Sequence, residues 1–78
     1  MPKFPRDAPR RKVLEAFMKL DFEIVREAEH IALRRQNPDG STTPMTIPND
    51  RTYKSSTLRT ILTQAGITRE EFLNAYYE

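Results

Sequence analysis

The sequence predicts an α+β domain in which helices cover one face of a three-stranded antiparallel sheet, and three observations carry that prediction. Apolar residues recur at helical spacing near the start and again after residue 55. Between those stretches they alternate with polar residues over three short runs, and the turn signal "NPDG" separates the last two runs. At 78 residues the chain can enclose one small core but not an elaborate internal pocket.

Residues 1–8 hold two prolines and several charges and read as a flexible basic arm, leaving residues 9–78 as a single domain. Asp7 is placed to cap a helix whose first turn contains Pro9. In "RRKVLEAFMKL", Val13, Leu14, Phe17 and Met18 form an apolar stripe, with Arg11, Lys12, Glu15 and Lys19 largely on other faces. "DFEIV" changes the period to two, Phe22 and Ile24 facing one way and Glu23 and Val25 the other. "HIALRR" repeats the alternation, so Ile31 and Leu33 share one side while His30, Ala32 and Arg34 share the opposite one. Residues 26–29 are the expected connection between these strands.

In "NPDG", proline fixes its own φ, Asp39 can bond the nearby backbone and Gly40 tolerates positive φ. "TTPMTIP" reads as the third strand, with Met45 and Ile47 on one face. Pro44 offers no ladder donor, so this strand is expected to be an edge or locally irregular. "PNDRTYK", residues 48–54, reads as a polar loop. Ser55 or Ser56 can cap a helix whose stripe is Leu58, Ile61, Leu62 and Ala65 and which Gly66 ends. Thr68 with Glu71 fits a capping box for a short last helix built on Phe72, Leu73 and Tyr76.

Composition removes several classes of chemistry. With no cysteine, disulfides, thiolate metal sites and cysteine nucleophiles drop out, in keeping with a reducing cytoplasm. A single histidine without ligand-spaced partners argues against a metal site, and neither "NPDG" nor "QAG" resembles a phosphate loop. No stretch approaches the roughly 18 apolar residues of a membrane span, and "MPKFPRDAPRRK" has no apolar core behind its charges. The expectation is a soluble, cytoplasmic protein needing no cofactor. The net charge is only +2, yet twelve of the thirteen basic residues precede residue 60, so the first part can present an electropositive face.

His30 is the one side chain able to move protons near neutral pH, and RNA carries its own nucleophile in the 2'-hydroxyl. A base that removes that proton promotes attack on the adjacent phosphorus, giving a 2',3'-cyclic phosphate and a free 5'-hydroxyl without any metal. Such chemistry needs cations to hold the phosphate. Arg26, Arg34, Arg35, Arg51 and Lys54 are the basic candidates on strand and loop positions, and Tyr53 is a candidate to stack on a base or donate a hydrogen bond.

The residues together resemble the HicA (YcfA-like) family of bacterial toxins over about residues 10 to 74. The resemblance runs through "LDFEIVREAEHIALRR", "NPDGSTTPMTIP" and "KSSTLRTILTQAGITREEF". It implies a double-stranded-RNA-binding-like α-β-β-β-α fold and a toxin that cleaves single-stranded mRNA and is neutralised by a HicB-type antitoxin. On this resemblance His30 matches the catalytic histidine, and Lys54, Thr57 and Leu58 match the loop-to-helix motif. The chain departs from the family pattern at Ala28, where a glycine is common, at Glu29, at Asp50 and at Ser56. Glu29 is a carboxylate beside the expected phosphate, able either to repel substrate or to favour the charged imidazole. Two alternatives accompany the ribonuclease reading: an inactive RNA-binding module of the same fold, and a protein whose surface serves chiefly to engage an antitoxin.

Overall fold

The computed structural model describes residues 3–78, and its helices and strands follow the predicted periodicities with instructive exceptions. A two-residue strand β1 (Ala8–Pro9) leads into helix α1 (Arg10–Lys19). Strands β2 (Phe22–Glu27), β3 (His30–Gln36) and β4 (Thr42–Pro48) come next. A second two-residue strand β5 (Thr52–Tyr53) then precedes helices α2 (Ser55–Ala65) and α3 (Arg69–Tyr77). Strands β2, β3 and β4 form an antiparallel sheet in that spatial order, with β3 central, and β4 carries Pro44 at an edge as expected. Strands β1 and β5 pair separately, Ala8 opposite Tyr53 and Pro9 opposite Thr52.

The core lies between the sheet and the helices. Val13, Leu14, Ala16 and Phe17 of α1 and Leu58, Ile61, Leu62 and Ala65 of α2 face Phe22, Ile31, Leu33, Met45 and Ile47 of the sheet. Helix α3 packs on α1 and α2, and the ring of Phe72 packs against three others: Phe17 at 5.5 Å, Tyr76 at 5.5 Å and Phe4 at 5.9 Å. All helical cover is on one sheet face, because only that face presents the apolar half of each alternation.

Several local expectations change. The first two residues of the predicted arm lie outside the described residues, but Phe4 and Ala8 are buried in the core, because Phe4 fills the space beside Phe72 and β1 is held by β5. Helix α1 is entered from that strand pairing, so Pro9 itself is the N-cap and Asp7 supplies no side-chain cap. Met18 is 48% exposed and Ala16 takes its place in the stripe. Asp21 turns the chain out of α1 at φ 72°, a left-handed conformation that aspartate visits more readily than most residues.

The second helix begins at Ser55 with Lys54 as N-cap, and neither serine caps it. By contrast, Gly66 closes α2 at φ 69°, and the Thr68 and Glu71 capping box forms as predicted. The loop expected over 48–54 contains β5, whose Tyr53 is 1% exposed.

The edge strand β2 is not regular. Ile24 pairs with Leu33 and Arg26 with Ala32, leaving Val25 as an extra residue between them. This β-bulge reverses the sidedness of the strand beyond it.

Candidate functional site

Without helical cover, the opposite face of the sheet is open. It receives His30, Ala32 and Arg34 from β3, since their neighbours Ile31 and Leu33 point into the core. Simple alternation along β2 would have put Arg26 on the core side with Phe22 and Ile24. The bulge at Val25 places Arg26 opposite Ala32, on the same face as His30. A shallow depression of about 430 Å³ results, lined by Arg26, Ala28, Glu29, His30 and Ala32.

His30 is exposed at the first position of β3 and lies opposite Pro48 of β4. Its surroundings are fixed mainly through backbone. The turn before it consists only of Ala28 and Glu29, since β2 runs on to Glu27, and the Ala28 amide donates to the His30 carbonyl at 3.1 Å. Asn49 holds this turn from the other side. Its side-chain Nδ2 donates to the Ala28 carbonyl at 2.8 Å and its amide donates to the Glu29 carbonyl at 3.2 Å. The Oδ1 of Asn49 in turn accepts from Arg10 Nη1 at 2.7 Å. On the β4 side, the Tyr53 hydroxyl donates to the Pro48 carbonyl. The backbone on each side of His30 is thereby anchored by a residue of the 48–54 segment.

Ala28 has no positive φ, so the position has no conformational need of a glycine. Its methyl group instead forms part of the wall of the depression. Glu29 and His30 line the same depression.

The remaining candidates separate. Arg34 lies on the His30 face but is held by Glu23, with Nη2 2.7 Å and Nε 3.3 Å from the same carboxylate oxygen. Both side chains are substantially exposed, so the pair is worth about 0–1 kcal/mol and is open to exchange for another anion. Arg35 belongs to the other face. It lies opposite Phe22, its guanidinium 5.1 Å from that ring and its Nε 3.3 Å from Asn37 Oδ1. The same alternation that exposes Arg34 turns Arg35 towards the helices.

Tyr53 is also removed from the candidate set. Its ring is core, its hydroxyl is spent on Pro48, and burial pushes the phenol pKa up. No local pattern signals this, because burial of the residue depends on pairing between segments more than forty positions apart. Arg51 is exposed in a second depression with Pro9, Arg10, Arg11 and Leu14, and Lys54 is exposed at the start of α2. Asn49 is the residue that sequence reasoning missed. The signal available was its place immediately after Pro48, where a side chain with both donor and acceptor can bridge neighbouring turns.

Among the described residues, no group of three or more histidine, aspartate and glutamate side chains is arranged to hold a metal ion, and no helix is long and apolar enough to cross a membrane. No match was found among curated proteins or among solved structures. The family model described as the HicA toxin of bacterial toxin-antitoxin matches residues 10–67, well over half of the chain. That span runs from the start of α1 to just beyond α2 and contains the whole open sheet face. Members of the family are toxins, generally RNA-cleaving, and each implies a cognate antitoxin. With its α-β-β-β-α order, its helices on one sheet face and this match, the chain belongs to the HicA family of toxins.

Proposed function

We propose that the protein is a metal-independent endoribonuclease that cleaves single-stranded mRNA at the open sheet face, with His30 as the general base. The observation that carries the proposal is an exposed histidine, His30, lining a depression that Arg26 also lines. Neutral His30 removes the proton from a ribose 2'-hydroxyl, and the resulting oxygen attacks the adjacent phosphorus. The bond from phosphorus to the 5'-oxygen breaks, and that oxygen takes a proton from water as it leaves. The products are a 2',3'-cyclic phosphate and a 5'-hydroxyl.

Arg26 balances charge on the phosphorane, and Arg34 reaches a neighbouring phosphate by leaving Glu23. Lys54 contributes to the positive field at the β5–α2 junction. The anchors at Asn49 and Tyr53 keep the backbone on both sides of His30 in place before substrate arrives. A HicB-type antitoxin neutralises the toxin by covering this face.

The test is cleavage of a long single-stranded RNA in EDTA by wild type and His30→Ala, with the product ends identified. Loss of a general base lowers the rate by about 10²–10⁴-fold, while an exposed substitution alters stability by no more than about 0.5 kcal/mol. Cyclic-phosphate ends from wild type alone are expected. Equal cleavage by both proteins rejects the role of His30. Glu29 favours one rival reading, RNA binding without turnover. Salt-sensitive binding with no product from either protein would establish that rival instead.

A further inference from the structure

Around the edge of the molecule from His30 is the depression lined by Pro9, Arg10, Arg11, Leu14 and Arg51, about 550 Å³ in volume. Its three arginines come from distant parts of the chain. Pairing of β1 with β5 brings them together, and the Arg10 amide donates to the Arg51 carbonyl at 2.9 Å. No acidic residue occupies the first turn of α1. The carboxylates nearest in sequence are Asp50, beside Arg51, Asp7, three residues before Arg10, and Glu15, whose contact with Arg11 is long at 3.5 Å and exposed.

The Asn49 side chain spans from this depression to the one at His30. It joins Arg10, on one rim, to Ala28, on the other, through hydrogen bonds of 2.7 and 2.8 Å. We infer that the Arg10, Arg11 and Arg51 cluster is a second phosphate subsite, gripping the RNA strand beyond the linkage presented to His30, with Asn49 fixing the relative position of the two.

The inference rests on the proposed ribonuclease function for its choice of ligand, and its physical basis is that a single strand is held by a cationic track more than by any one contact. Arg10 is structurally engaged by Asn49, whereas the side chains of Arg11 and Arg51 extend from exposed positions. The backbone bond at Arg51 survives substitution.

The experiment measures binding of short and long single-stranded 2'-O-methyl RNA as a function of salt, by fluorescence anisotropy. This RNA has no 2'-hydroxyl proton to remove, so the readout is independent of cleavage. Wild type is compared with Arg11→Gln/Arg51→Gln and with Arg59→Gln/Arg69→Gln, which removes the same charge beside Phe4. The first pair should lower the slope of log affinity against log salt by about 0.7 for each phosphate that is no longer neutralised. It should also erase most of the advantage of long RNA over short, and the second pair should do neither. Coincident slopes for wild type and the first pair overturn the subsite, as they would if the patch served an acidic segment of the antitoxin. Equal losses from both pairs overturn it too, because net charge alone then accounts for the effect. If the slopes separate as expected but natural RNA stays intact, the subsite stands and only the His30 chemistry fails.

Discussion

Replacing Tyr53 with phenylalanine removes one oxygen from a ring that is 1% exposed. The hydrogen bond to the Pro48 carbonyl that disappears with it is worth about 0.5–1.5 kcal/mol net, and an orphaned buried acceptor adds about 1–3 kcal/mol. Pro48 is only half-buried, so the second contribution applies in small part. The expected loss is about 1–1.5 kcal/mol. For a domain of this size that corresponds to a fall of roughly 5–10 °C in Tm. Urea unfolding should show a lower midpoint with an unchanged m value, since the surface exposed on unfolding is the same. RNA affinity measured well below Tm should not change.

A second variant, Tyr53→Leu, separates the anchoring role from base stacking. A stacked tyrosine contributes about 1–3 kcal/mol per base, so stacking predicts a large loss of RNA affinity in the leucine variant and no stability change in the phenylalanine one. The core position predicts the reverse. An unfolding midpoint for Tyr53→Phe equal to that of wild type would refute the anchoring argument.

Three further outcomes follow from the two faces of the sheet and from the shifted titrations. Arg26→Ala should weaken RNA binding and lower its salt slope by about 0.7, whereas Arg35→Ala should leave the slope alone and cost stability through poorer packing on Phe22. Burial pushes the phenols of Tyr53 and Tyr76 up. The unfolded chain therefore releases those protons first, and stability, complete below about pH 10, should fall as pH rises from there through the raised values. Hydrogen bonds from the Thr68 amide and hydroxyl hold the Glu71 carboxyl below its usual range. Its contribution, present above about pH 4.3, should fade as pH drops through the lowered value. Chemical denaturation across both windows checks the signs, and a rise in stability at either extreme would contradict them.

Much of the frame was legible because local pattern and tertiary role agree. Val13, Leu14 and Phe17 repeat at helical spacing and are buried. Ile31 and Leu33 alternate with His30 and Arg34, and the structure keeps the two pairs on opposite faces. Gly66 and the Thr68 and Glu71 pair act at the helix ends that their chemistry predicts. What stayed hidden depends on partners remote in sequence. Two-residue strands such as Ala8–Pro9 and Thr52–Tyr53 are too short to show a period, so the burial of Ala8 and Tyr53 left no local trace. Arg35 is an exception, since the alternation that exposes Arg34 is legible in the sequence and already turns its neighbour to the other side of the sheet. Asn49 looks like any polar loop residue until the turn at Ala28 and Glu29 is folded against it.

The bulge at Val25 also bears on how readily this edge could pair with a copy of the chain. Strand β2 is an outer strand, and a flat outer strand exposing Ile24 and Val25, respectively 37% and 56% accessible, would be a template for another strand to add to. An extra residue breaks the even spacing of amides and carbonyls that such an addition requires and twists the edge away from a flat approach. Removing Val25 to restore a regular strand would keep Arg26 on the open face while making the edge easier to pair. Over-regularising this strand is therefore a route to self-association, even where the face beside it is left intact.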